Sequence, residues 1–166
     1  NSPLLFGREL GADTRVALFK QSLDTRSSDK YIRNKLARVY FGMDWLRDSA
    51  AEIWRNNLSR FPLILTSDGF EKATEVIAKG EVPNLRAIRL QNGTTYTWNR
   101  LCYGPTKPKP HLRIECRYLP AGPSTIDEIA NFAFWAGLMQ TPWEGKKNLP
   151  QQVEFKTAKD NFIKAA

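Results

Sequence analysis

His111-Leu112-Arg113-Ile114-Glu115-Cys116-Arg117-Tyr118-Leu119, followed at once by Pro120-Ala121-Gly122-Pro123-Ser124-Thr125, alternates strictly between two kinds of side chain. Period two is the period of a strand. Leu112, Ile114, Cys116 and Tyr118 share one face, which reads as sheet core. Arg113, Glu115 and Arg117 share the other, with Cα atoms about 6.5–7 Å apart along it. A carboxylate between two guanidiniums keeps its charge and can bind a cation. The guanidiniums can grip phosphate or carboxylate with two parallel hydrogen bonds. The same pattern also describes a solvated, salt-bridged face of an antiparallel sheet.

Outward from this strand, Gln91-Asn92-Gly93-Thr94 is the strongest turn signal, because Asn-Gly tolerates positive φ at both central positions. It predicts a hairpin between strands over 85–90 and 94–103. With 111–119 these make an antiparallel meander of three strands. The loop Gly104–Pro110 holds three prolines. Symmetrical pairing about that loop sets Tyr103 opposite His111, Asn99 opposite Glu115 and Thr97 opposite Arg117, which matches polar face to polar face. A slip of one residue sets Arg100 and Trp98 beside Glu115 and Arg117 instead.

After the strand, Pro120–Pro123 ends the sheet. Ser124…Asp127 and Thr125…Glu128 both fit a capping box opening a helix to about Gln140. Ile129, Phe132, Trp135 and Met139 make that helix apolar nearly all round, so it should be largely buried against the sheet. Pro142 and Gly145 break it, and a last amphipathic helix starts near Leu149 or Gln151. Earlier in the chain, residues up to Gly11 read as loop and 14–23 as a helix capped by Asp13 or Thr14. Residues 24–34 read as polar and mobile, and Val39–Gly42 as a short apolar strand or turn. Asp44 caps a helix from 45 to about 60, and a helix over 70–78 is closed by Gly80.

The 166 residues suffice for one α+β domain with a core. A formal charge of +8 suits anionic ligands, but no basic run long enough for a nucleic-acid tail is present. The two cysteines, Cys102 and Cys116, make no metal-binding spacing and read as buried apolar residues in a reducing, cytoplasmic compartment. No membrane-spanning run and no Walker loop or dinucleotide fingerprint occurs. His111 is the sole histidine and reads as a loop-end surface residue; no Ser-His-Asp or Cys-His set can be assembled. The chain lacks an initial Met and ends on helical sequence, so it reads as a piece of something longer.

Asn1-Ser2-Pro3…Gly7-Arg8…Gly11…Arg15, Asn92-Gly93-Thr94…Trp98-Asn99-Arg100, Leu112–Pro123 and Asp127…Ala130-Asn131…Ala133-Phe134 together resemble the glutamate–cysteine ligase-like carboxylate–amine ligases of the glutamine synthetase superfamily. Asp160-Asn161-Phe162 resembles the family's later helical part. The resemblance implies an antiparallel sheet curled into a funnel with helices on its outer face. It implies ATP and Mg2+, activation of a carboxylate as an acyl phosphate, and attack by an amine, with small-molecule substrates and neither nucleic acid nor membrane as partner. Carried over, Glu115 is the metal ligand and Arg117 the phosphoryl clamp, with Arg113 beside it; Asn99, Arg100 and Arg15 are substrate- or phosphate-binding candidates. The family's early strand with paired acidic ligands is absent here, so this stretch alone is expected to be inactive and to need the missing N-terminal half. Cys116 and the Leu119–Pro123 turn also depart from the family pattern. Two other readings remain: a basic nucleic-acid-binding module, and a non-catalytic α+β domain whose Arg-Glu-Arg face makes only surface salt bridges.

Overall fold

A computed structural model describes residues 3–11, 13–24, 37–106, 109–140 and 152–165. The expectations for 25–34, for Pro142 and Gly145 and for a helix start at Leu149 or Gln151 lie outside these residues. The protein is α+β. Its chain divides into two compact units, one formed by Asn1–Leu18, Met43–Trp45 and Tyr118–Ala166, the other by Phe19–Gly42 and Leu46–Arg117.

In the first unit, β1 (Leu4–Leu5) and β2 (Arg8–Glu9) pair antiparallel. Phe6 and Gly7 turn between them at φ 50 and 75, the positive-φ pair that a two-residue hairpin demands. This corrects the reading of 1–11 as loop. Helix α1 (Thr14–Ser22) starts in this unit, and the Asp13 carboxylate accepts the Arg15 N–H at 2.9 Å, as a cap should.

The longest helix, which we number α5 (Thr125–Gln140), keeps the capping box. Ser124 N–H donates to Asp127 Oδ2 at 3.1 Å, and Asp127 N–H returns to Ser124 Oγ at 3.4 Å. Its burial, however, is the reverse of that expected. It has no buried residue, and Ile126 is 81% and Phe134 62% exposed. Replacing Phe134 with Ala should therefore change stability by only about 0.5 kcal/mol, the range of exposed substitutions, in a denaturant titration of the chain. A loss of several kcal/mol would show the ring to be buried. The last helix, α6 (Phe155–Ala165), meets Trp45, whose indole N–H donates to Val153 O at 3.0 Å and whose ring sits edge-on to Phe155.

In the second unit, the helix expected from 45 begins only at Ala51 (α2, Ala51–Arg60). The Glu52 carboxylate reaches back to the N–H groups of Asp48 and Ser49, both at 2.8 Å, and sets the start there. Helix α3 (Ala73–Ala78) closes on Gly80 at φ 74, as expected.

The largest correction concerns 85–94. Arg86–Gly93 is a helix, α4, and no hairpin turns at Asn92-Gly93. Arg, Ala, Leu and Gln are good helix formers. Asn92 is buried and donates its side-chain N–H to Leu101 O at 2.8 Å, while Thr94 N–H and Oγ1–H both close onto Gln91 O. The three-strand meander is thus absent. β3 (Val39–Tyr40) instead pairs parallel with β4 (Tyr96–Thr97), and β5 (Asn99–Gly104) pairs antiparallel with β6 (His111–Cys116). Val39, Phe61, Trp98, Leu101 and Cys102 form the apolar core of this unit. Leu112 and Ile114, expected in the core, lie exposed on β6.

Candidate functional site

The register of β5 on β6 decides which side chains meet. Arg100 lies opposite Glu115, Cys102 opposite Arg113, and Asn99 opposite Cys116. Arg117 N–H extends the ladder to Trp98 O at 2.9 Å. This is the one-residue slip, not the symmetrical pairing that placed Asn99 against Glu115. Two effects favour it. Leu101 and Tyr103 now face Ile114 and Leu112, and an arginine replaces an amide opposite the carboxylate, a favourable cross-strand charge pair.

Glu115 is held from both sides. Arg117 Nε donates to Oε1 at 2.8 Å, and Arg100 Nε donates to Oε2 at 3.0 Å, with the Arg100 Nη2 group closing on the same oxygen. The Cys102 thiol lies 3.5 Å from that oxygen. The Arg117 guanidinium stacks over the Tyr96 ring, 4.3 Å from its centroid, which fixes the plane of the fork. The Arg117 side chain is only 12% exposed, the Glu115 side chain 38%. Among the described residues no hydrogen bond from the Arg117 Nη groups to an acceptor is found. Arg113 lies on the same face, and its Nη1 is 3.1 Å from His111 Nε2. Three guanidiniums and one carboxylate leave this face with net positive charge.

Partial burial raises the Glu115 pKa, but the hydrogen bonds from Arg117 and Arg100 outweigh it and bring the carboxyl down to about 2. The group is therefore ionised in the folded chain wherever it would be ionised unfolded, and below that too. Its stabilising contribution is complete above the unfolded carboxyl pKa of about 4.3 and is lost as pH falls towards about 2. Comparing wild type with Glu115→Gln in urea titrations should show a stability gap that is constant from pH 7 to 5 and closes between pH 4.3 and 2. A gap independent of pH over that range would contradict the ion triad.

Two site candidates remain, Asn99 and Arg15. Asn99 is exposed on the opposite face of the strand pair, and its carbonyl accepts the Thr97 hydroxyl. Arg15, in the first unit, donates to Leu119 O at 3.1 Å and Tyr118 O at 3.2 Å and lines a cavity of about 250 Å3 with Phe162 and Pro120. Tyr96 and Cys102 are additions that residue types alone did not single out. The slipped register, in which Arg100 and Cys102 share the face of Glu115, was the signal for the second of them.

No group of three or more His, Cys, Asp or Glu among the described residues could hold a metal ion. Glu115 is a single carboxylate with both oxygens on guanidiniums, and a hard dication such as Mg2+ takes several oxygen ligands. The donor set among the described residues does not by itself fit Mg2+. No helix among the described residues is long and apolar enough to cross a membrane. Both cysteines are free thiols. The chain matches no protein-family model, no curated protein and no solved structure at a significant level.

Proposed function

We propose that this chain is part of the catalytic domain of a cytoplasmic, ATP-dependent carboxylate–amine ligase, with β5–β6 as its phosphoryl-gripping strand pair. The observation that carries the reading is the Arg117 fork, held by Glu115 on one edge and Tyr96 beneath, on a face with three guanidiniums and one carboxylate. In such a reaction a carboxylate oxygen takes the terminal phosphoryl group of ATP and ADP leaves. An amine then displaces phosphate from the acyl carbon and loses a proton. The chemistry needs positioning and charge neutralisation, not a protein nucleophile, which agrees with a site built from guanidiniums. Arg117 binds the transferred group, Arg113 adds positive charge beside it, and Glu115 acts as a positioning residue that aims Arg117 and Arg100. Asn99 and Arg15, which the sequence resemblance offers as substrate contacts, are given no role in gripping the phosphoryl group.

Small-molecule acids and amines are the proposed substrates, and nucleic acid is not a proposed partner. Release of ADP by the natural full-length protein, tested over a panel of carboxylates and amines, checks the proposal. ADP release that requires both an acid and an amine is the expected result; none with any pair would contradict it.

A further inference from the structure

A second cationic site lies in the second unit, away from the Glu115 cluster in sequence and in the residues that build it. It is a cavity of about 580 Å3 lined by Gly69, Glu71, Asn84, Arg86, Arg89 and Leu90. That volume is in the range of pockets that bind small organic molecules. Arg86 and Arg89 stand three apart on the first turn of α4, where i,i+3 side chains are neighbours with Cβ atoms about 5–6 Å apart. Both are exposed, and neither has an acidic partner among the described residues.

The placement is electrostatically unfavourable on two counts. Like charges at this spacing repel, and cations are disfavoured at the positive end of a helix. α4 carries no acidic residue in its first turn to offset either effect. One carboxylate, Glu71, reaches the cavity, but it is engaged with backbone. It accepts Leu85 N–H at 3.0 Å, Asn84 N–H more closely still, and the Asn84 side-chain N–H at 3.3 Å. Two guanidiniums against that one carboxylate leave the cavity cationic. A local arrangement that opposes its own helix in this way is the kind kept for function.

We propose that this cavity binds a small molecule through a phosphate or pyrophosphate group gripped by Arg86 and Arg89. The planar guanidinium fork matches phosphate oxygens in pairs, and a multiply charged anion relieves both the mutual repulsion and the unfavourable end of the helix. Asn84 and Glu71 set the cavity wall, and the two arginines are the cations among its described lining residues. The proposal does not depend on the ligase reading, because it uses none of the residues on β5 or β6.

The test is amide chemical-shift mapping of the full 166-residue chain titrated with pyrophosphate at low ionic strength. Saturable shifts are expected over Arg86–Leu90. Arg86→Gln or Arg89→Gln should each weaken that binding by about tenfold or more, as expected for losing one charge-assisted hydrogen-bonded contact. Both residues are exposed, so the melting temperature without ligand should hold. Malonate, a dicarboxylate of similar charge, should bind distinctly more weakly. Shifts confined to β5–β6, no shifts at millimolar pyrophosphate, unchanged affinity in the double variant, or malonate bound as tightly would each overturn the proposal. Shifts on β5–β6 alone would leave the ligase reading standing while ending this one.

Discussion

Leu101→Ala should destabilise the chain by about 2–5 kcal/mol, and Trp98→Ala by about 3–5 kcal/mol, the losses seen when large core side chains are truncated. Leu101 is 1% exposed and Trp98 3%. Leu101 is also the point where three elements meet. Its carbonyl accepts the Trp54 indole N–H from α2 at 3.3 Å and the Asn92 amide from α4 at 2.8 Å. Emptying the space under that carbonyl loosens the anchor of both helices as well as the strand that carries Arg100. Leu112→Ala, one strand away, is the control: that side chain is 58% exposed and should cost well under 1 kcal/mol. A denaturant titration ranks the three. Equal losses for Leu101 and Leu112 would mean that the Leu112–Ile114 face of β6 is covered and would restore the core first read from the alternation.

That contrast shows what the sequence made legible. Period-two alternation identified β6, and the run 94–103 contained β5. The Ser124…Asp127 capping box identified α5, and Gly80 closed α3 as read. Signals of this kind are local, and they survived because the groups that make them are local. Burial did not follow from pattern. Leu112, Ile114 and the apolar side chains of α5 are apolar yet exposed. Alternation states which residues share a face; it does not state what covers that face.

Asn92-Gly93 misled for a related reason. Its turn chemistry is real, but the Asn92 side chain found the Leu101 carbonyl and the preceding Arg-Ala-Ile-Arg-Leu-Gln continued as helix. The strand register also lay beyond local reading. The proline-rich connection between β5 and β6 is too long to impose it, and the Arg100–Glu115 charge pair outweighed loop symmetry.

The second large effect is kinetic. In the ligase reading, Arg117→Lys should lower kcat by about 10²-fold or more, the loss expected when a transition-state electrostatic contact is removed. Lysine keeps the charge but offers a point, not a fork, and cannot lie flat on Tyr96 while reaching Glu115 Oε1. Glu115→Gln should act through Arg117 and Arg100. It leaves both guanidiniums without their shared carboxylate, so the fork loses its aim, and kcat should fall while KM for the amine holds. A structural salt bridge is the competing account, favoured by both Glu115 oxygens being engaged. Partly exposed pairs of that kind contribute about 0–1 kcal/mol to stability and nothing to turnover. The two accounts therefore separate on kcat and not on melting temperature.

The most direct measurement is acid- and amine-dependent ADP release by the natural full-length protein, wild type against Arg117→Lys and Glu115→Gln, with melting temperatures recorded on the same samples. The account predicts variants that melt within a few degrees of wild type and turn over about 10²-fold more slowly. Folded variants that release ADP as fast as wild type would contradict it and leave the Arg100–Glu115–Arg117 face a salt bridge.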